Sequence, residues 1–185
     1  MENILFLAGL AMAVAVVYWW GFTRLSGERW QIMASVPRIK AGLHWEAVNL
    51  TWYGFIVASA CAAGVGLMIV LLGAIGIPLG FTILFCLAML AVCLPGSRLI
   101  ARVVEGKRHT ATVGGALFLG LLTAPVLLWV FERVLVLQAL IQVPAIVILA
   151  CMSVAYALGE GIGRLACISF GCCYGKPVAS LPDWL

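Results

Sequence analysis

The chain has 185 residues, of which 65% are apolar and 10% are charged, and its mean hydropathy is +1.17. This composition excludes a soluble globular domain and indicates an integral membrane protein that crosses the bilayer several times. The net charge of +4 comes from basic residues beside the apolar stretches and not from a separate basic domain, so nucleic-acid binding is excluded as well.

Five apolar stretches reach or approach the roughly 20 residues needed to cross a hydrocarbon core of about 30 Å. In chain order they are residues 4–22, 48–75, 77–94, 111–131 and 134–158. Because these runs are continuous and do not alternate with polar residues, they predict helices and not the strands of a barrel. The expected fold is an all-α integral membrane protein, a bundle of about five transmembrane helices.

The first stretch is expected to remain as an anchor, since the chain begins Met1-Glu2-Asn3 without the basic segment of a secretory signal. After it, residues 23–45 mix arginine, lysine and tryptophan with apolar residues, which predicts a helix or loop lying in the membrane interface. The expected division is residues 1–47, the anchor with this basic interfacial segment, and residues 48–185, a transmembrane helical domain.

The basic residues are distributed unevenly over the connections between spans. Ten of the eleven lysines and arginines fall in residues 23–47, 96–110 and 159–185, which alternation of the spans puts on one face, and Arg133 is on the other. The positive-inside tendency predicts that the basic face is cytoplasmic. The N-terminus is then expected outside and the C-terminus inside.

The cysteine and histidine content limits the metal and redox chemistry. Four of the seven cysteines lie inside apolar stretches, where a thiol behaves as a small buried hydrophobe. The other three, Cys167, Cys172 and Cys173, lack the CxxC spacing of a usual zinc site. With only His44 and His109, neither a paired-histidine protease site nor a bis-histidine haem is expected. We therefore expect no metal and no cofactor, and the lack of a GxSxG pattern argues against a serine nucleophile.

The most informative stretch is residues 159–177, GEGIGRLACISFGCCYGKP. It places Glu160 and Arg164 one helical turn apart, where the fifth apolar stretch is expected to reach the membrane surface. A charge near the bilayer core costs roughly 2.5–3.5 kcal/mol on insertion scales, so charges beside a span usually have a partner or a ligand. This pair is therefore either a structural ion pair at a helix end or part of a site for a polar lipid headgroup.

Several segments, in chain order, resemble the prolipoprotein diacylglyceryl transferases, membrane enzymes that move a diacylglyceryl group from phosphatidylglycerol to a prelipoprotein cysteine. Residues 163–167 (GRLAC) followed by 171–175 (GCCYG) are similar to that family's GRxGCFxxGCCYG form. Residues 50–54 (LTWYG) resemble its HWYG segment, residues 96–98 (GSR) its GxR turn, and residues 112–115 (TVGG) its FHGG segment.

The resemblance implies a site for the lipid headgroup. Arg164 would hold the phosphate or glycerol of phosphatidylglycerol, because a guanidinium forks onto phosphate oxygens and stays charged when desolvated. Glu160 would orient the guanidinium, and His109 or a cysteine would assist the reaction. The lipid-binding residues implied beside Arg164 are Trp52, Tyr53, Arg98, Cys167 and Tyr174. The implied partners are phosphatidylglycerol or another anionic lipid and a prelipoprotein substrate.

The sequence also departs from the family at informative positions. The two histidines of the family's motifs are replaced by Thr51 and Val113, and the resemblance ends before the family's C-terminal helices. The family's signature lies at the outer membrane face, whereas the charge count predicts an inner position here. Two interpretations therefore stand: a divergent transferase of the bacterial plasma membrane, or a catalytically silent relative acting as an accessory or structural subunit of a membrane complex.

Overall fold

The computed structural model describes residues 2–25, 28–42, 44–104, 106, 112–134 and 143–172. Within these residues the chain forms five long helices: α1 (Glu2–Arg24), α2 (Trp52–Ala74), α3 (Leu79–Val104), α4 (Val113–Val134) and α5 (Ala145–Phe170). Each is long and apolar enough to cross a membrane. The expected all-α, multi-pass membrane architecture is confirmed.

The segment between α1 and α2 differs from the prediction of an interfacial helix or loop. After a short 3-10 turn, Glu28–Trp30, the chain forms an antiparallel hairpin of β1 (Ile32–Ala41) and β2 (His44–Thr51). Its turn contains Gly42 in the left-handed region, at φ 64°. The signal that was missed is this glycine between two runs rich in valine, isoleucine, threonine and tryptophan, which favours a hairpin.

Two helices extend beyond the limits expected from hydropathy. The third span was expected to stop at residue 94, before Pro95, but α3 continues to Val104 with Pro95 inside it, and α4 likewise contains Pro125. Proline is tolerated in membrane helices because neighbouring helices and hydroxyl side chains satisfy the backbone groups it leaves unpaired. In α3 the missing N–H of Pro95 affects the carbonyl of Ala91, and the Ser97 hydroxyl makes a separate bond, to the Leu94 carbonyl at 2.9 Å.

The fifth span is displaced along the sequence relative to the expected residues 134–158. The helix begins at Ala145, directly after Pro144, whose carbonyl accepts a hydrogen bond from the Val147 amide at 2.9 Å. Proline is common at the start of a helix because its fixed φ suits the first turn and because an N–H group at that position has no partner within the helix. The helix then continues to Phe170, so Glu160 and Arg164 lie inside it and not at its exit.

The chain forms two compact units. The first contains the residues up to Ala63 together with those from Ala157 onward, and the second contains Gly64–Tyr156. In the first unit, buried side chains from the end of α1, from α2 and from α5 meet in one apolar cluster: Leu25, Ile56, Leu165 and Ala166. This cluster brings the C-terminal ends of α1 and α5 to the N-terminal end of α2.

Glycines allow the helices of the first unit to approach closely. A side chain at Gly161 of α5 would collide with the hydroxyl of Tyr18 on α1, and a methyl group at Gly21 of α1 would lie 2.6 Å from Leu165 on α5. Small residues have this role in lipid, where van der Waals contact between helices replaces the hydrophobic effect as the source of attraction.

The second unit follows the same packing rule. A side chain at Gly96 of α3 would collide with Leu119 of α4, and a methyl group at Gly115 would lie 3.0 Å from Ile100. Further along the two helices, Phe131 packs edge-on against Phe81 with ring centroids 5.8 Å apart. Glycines and aromatic rings thus hold α3 and α4 together at both ends of their contact.

The contact between Gly21 and Leu165 predicts a stability effect with a control on the same helix. We expect Gly21→Val to lower the midpoint of thermal unfolding in detergent, because overpacking beside buried Leu165 costs about 1–3 kcal/mol. Gly9→Val introduces the same side chain at a position with no atom within 4 Å and should leave the midpoint nearly unchanged. Equal midpoints for the two variants would contradict this packing.

Candidate functional site

The two charged residues of the C-terminal motif form an ion pair on α5. Arg164 Nη2 lies 2.5 Å from Glu160 Oε1. The Arg164 side chain is 61% exposed and the Glu160 side chain 27% exposed. The pair therefore reduces the cost of carrying charge on an apolar helix while leaving much of the guanidinium accessible.

The length of α5 indicates the depth of this pair. The helix has 26 residues, which at 1.5 Å per residue is about 39 Å, some 9 Å longer than a hydrocarbon core. That excess corresponds to about six residues, which is the distance of Arg164 from the end of the helix at Phe170. With this excess at the C-terminal end of α5, Arg164 lies at the level where hydrocarbon gives way to phosphates.

The start of α2 is fixed beside the end of α5. The Thr51 hydroxyl oxygen accepts a hydrogen bond from the Gly54 amide at 3.1 Å, the geometry of a helix N-cap. Tyr53, the second residue of the helix, packs edge-on against Phe170 with ring centroids 5.8 Å apart, and 37% of Tyr53 stays exposed. Thr51 thus has a structural role as the cap of α2.

The glycine of the GCCYG run ends α5. Gly171 has φ 71°, and the Cys167 carbonyl accepts hydrogen bonds from the amides of Gly171 at 2.9 Å and Cys172 at 3.2 Å. This is the pattern of a left-handed glycine C-cap, which satisfies carbonyls that the helix itself leaves unpaired. Cys167 is partly buried and Cys172 is exposed. The motif residues described here therefore include a helix terminator as well as candidate site residues.

The predicted site residues are only partly assembled by the structure. Glu160, Arg164, Cys167, Trp52 and Tyr53 all belong to the first unit. Arg98 is an exposed residue of α3 in the second unit. His109, Cys173 and Tyr174 lie outside the described residues.

A groove in the first unit was missed by sequence reasoning. It is open, has a volume of about 570 Å³, and lies between the end of α1, the 3-10 turn and the start of α2. Its lining residues are Trp19, Trp20, Arg24, Arg29, Trp30 and Trp52. Trp52 was the only one of these assigned to a lipid site from the sequence. The sequence feature that could have predicted this groove is the pair of tryptophans one turn before an arginine at the end of a helix, a composition common at the membrane interface.

No group of three or more histidine, cysteine, aspartate or glutamate side chains that could hold a metal occurs in the described part of the chain. Comparisons with family models, curated proteins and solved structures found no match for this chain. The resemblance to the diacylglyceryl transferases is thus a prediction that rests on the sequence motifs alone.

The N-cap at α2 predicts the effect of changing Thr51. Thr51→Ala removes the acceptor of the Gly54 amide and should destabilise the protein by about 0.5–2 kcal/mol, the usual cost of losing a cap. Thr51→Ser keeps a hydroxyl and should retain most of the stability. Thermal unfolding of both variants in the same detergent measures the difference, and equal midpoints would contradict the capping role.

Proposed function

We propose that this protein is a membrane transferase of the diacylglyceryl type, which moves a diacylglyceryl group from phosphatidylglycerol to a lipoprotein cysteine. The observation that carries the proposal is the Arg164 guanidinium, which is held by Glu160 at 2.5 Å yet remains 61% exposed on an apolar helix. A guanidinium in this setting suits the phosphate of a lipid headgroup, because it can donate two parallel hydrogen bonds and keeps its charge when desolvated.

In the proposed reaction the protein stabilises the charge of the departing phosphate and forms no covalent intermediate with the lipid. The prelipoprotein thiolate attacks the glycerol carbon that carries the phosphate, a C–S bond forms, and the C–O bond to the departing glycerol phosphate breaks. The thiol proton passes to a base, and the phosphate group keeps the electron pair of the broken bond. Arg164 stabilises the negative charge of the departing phosphate, and Glu160 holds the guanidinium in position.

The other assignments follow from the motif resemblance and are part of the proposal. Tyr53, at the head of α2, offers a hydroxyl to the glycerol or its ester oxygens, and Cys167 lines the same end of α5. Arg98 and Tyr174 are assigned to the lipid headgroup, and His109 to the proton transfer. The proposed partners are phosphatidylglycerol and a prelipoprotein, and the proposed location is a bacterial plasma membrane.

A second candidate function is that of a catalytically silent relative, an accessory or structural subunit of a larger membrane complex. The observation that favours it is Thr51, which stands where the family has a histidine and whose hydroxyl is used as a helix cap. An N-cap stabilises the helix but supplies no base for a thiol. In this interpretation the Glu160–Arg164 pair anchors lipid or a partner without chemistry.

Complementation of a bacterial strain depleted of its own diacylglyceryl transferase tests the proposal. We expect the parent chain to restore growth and Arg164→Ala to lose that ability. Arg164→Lys should restore growth only weakly, because an ammonium keeps the charge but not the two-pronged hydrogen bonding.

Arg133→Ala is the matched control, since it also removes an exposed arginine near a helix end but lies in the second unit. It should restore growth as the parent does, with all variants quantified in the membrane. A well-expressed parent that fails to restore growth would reject the transferase and favour the accessory subunit.

The orientation proposed from the charges has a separate test. Reporter domains fused after Gly106 and after Gly76 should signal the cytoplasm and the outside, respectively, because ten of eleven basic residues lie on the face that contains residue 106. In that orientation the Arg164 face takes its lipid from the cytoplasmic leaflet. The opposite pair of signals would contradict the charge-based orientation and match the outer position typical of the transferases.

A further inference from the structure

The groove at the end of α1 is lined by two cationic and four aromatic side chains. Arg24 ends α1 and Arg29 lies in the 3-10 turn, and both arginines are exposed. The remaining lining residues are the tryptophans Trp19, Trp20, Trp30 and Trp52. Among the described residues that line the groove there is no carboxylate, so its side chains carry a charge of +2.

Three of the four tryptophans pack against one another. Trp30 packs edge-on between Trp20 and Trp52, with ring centroids 5.6 Å and 4.7 Å away. It also packs on the buried cluster around Leu25 and Leu165. The groove therefore has one wall, Trp30, built on the core of the first unit, while Trp19 and the two arginines are exposed around it.

Among the described residues, the two arginines and the Trp30 N–H group of the groove have no ion-pair or hydrogen-bond partner. Within the described residues no ion pair joins Arg24 or Arg29 to a carboxylate. The Arg29 guanidinium carbon lies 5.7 Å from the centre of the Trp30 ring, and the buried Trp30 Nε1 has no hydrogen-bond acceptor among the described residues. Buried indole N–H groups usually have an acceptor, and because this one is closed to solvent, an oxygen of a ligand reaches it only when the Trp30 ring moves.

The arginine and tryptophan side chains together indicate which class of ligand the groove can bind. An aromatic box alone would suit a quaternary ammonium, but two arginines in the same groove repel such a cation. Arginine and indole N–H groups are donors without acceptor capacity, which fits the oxygens of a phosphate. The flat faces of the tryptophans fit the glycerol and the upper part of an acyl chain, as in aromatic belts at headgroup level.

We infer that this groove is a binding site for an anionic phospholipid, with Arg24 and Arg29 on the lipid phosphate and the tryptophans around its glycerol. The groove contains neither Arg164 nor Glu160. The inferred site shares Trp52 with the lipid-binding residues implied by the resemblance, but it uses neither of the two residues that carry the proposed transfer reaction, and it applies equally to an accessory subunit.

Native mass spectrometry of the purified full chain in neutral detergent tests the inference. Phosphatidylglycerol is added to the parent and to an Arg24→Gln/Arg29→Gln double variant, each also in the Arg164→Ala background, so that binding at Arg164 is counted separately. We expect the double variant to weaken lipid binding at least about tenfold in the Arg164→Ala background, since two charge-assisted hydrogen-bonding groups are lost, and to lose the groove's lipid but not the one at Arg164 in the parent background. Unchanged binding in both backgrounds would overturn the inference.

The matched control removes the same charge from the hairpin. Arg38→Gln/Lys40→Gln alters two exposed cations of β1, and Lys40 also lies over a tryptophan, with Nζ 6.0 Å from the centre of the Trp45 ring. Binding should stay close to that of the parent. A loss as large as in the groove variant would indicate general attraction of the anionic lipid to a basic surface and overturn the specific site.

Competing ligands distinguish an anionic phospholipid from other molecules that carry a phosphate. Phosphatidylcholine, glycerol phosphate and inorganic phosphate should each displace phosphatidylglycerol at least about tenfold less effectively than phosphatidylglycerol itself. Equal displacement by phosphatidylcholine or by a soluble phosphate would overturn the assignment to an anionic lipid.

Two further measurements apply even if the arginine variant does not fold. Trp30→Phe keeps an aromatic ring on the core but removes the N–H group, and it should weaken binding several-fold. Binding by the parent should also fall as salt is raised, because both arginines are exposed and their attraction to the phosphate is screened. Binding that is insensitive to both the substitution and the salt would overturn the inference.

Discussion

The close approach of α1 to α5 is the constraint on which the polar end of the first unit depends. Lipid tails are as apolar as leucine, so the two helices gain little by hiding apolar surface from each other and must be held by dense contact. Gly161 gives room to Tyr18, and Gly21 gives room to Leu165. The residues around these contacts then form the buried cluster onto which Trp30 packs.

This packing explains how one unit carries arginines in two different settings. On α5, Arg164 has a carboxylate one turn away and is oriented by it. At the end of α1 and in the turn that follows, Arg24 and Arg29 lie beside indole rings, and Arg29 is 5.7 Å from the Trp30 ring centre. A carboxylate beside a guanidinium offsets part of its charge and fixes its direction, whereas aromatic faces leave the charge of the guanidinium in place.

Sequence reasoning predicted the number and kind of the spans because length and continuous apolarity are decided locally. It misplaced their ends. Pro95 predicts the end of a helix, yet α3 continues through it because tertiary packing against α4 outweighs that local preference. The start of α5 depends on Pro144, directly before Ala145. The Glu160–Arg164 pair was predictable from its spacing of four. The groove was not, because it unites residues of α1 and α2 that a 27-residue connection separates in the sequence.

The β1–β2 hairpin has a consequence for how deep the protein can sit in the bilayer. In this sheet of two described strands each strand has one neighbour, so the backbone amides and carbonyls on its far side are directed away from the pairing. Hydrocarbon offers such groups no hydrogen-bonding partner, at a cost of several kcal/mol for each. The ribbon must remain in water or among phosphates, and it acts as a stop that keeps the adjoining ends of α1 and α2 from sinking below the headgroup layer.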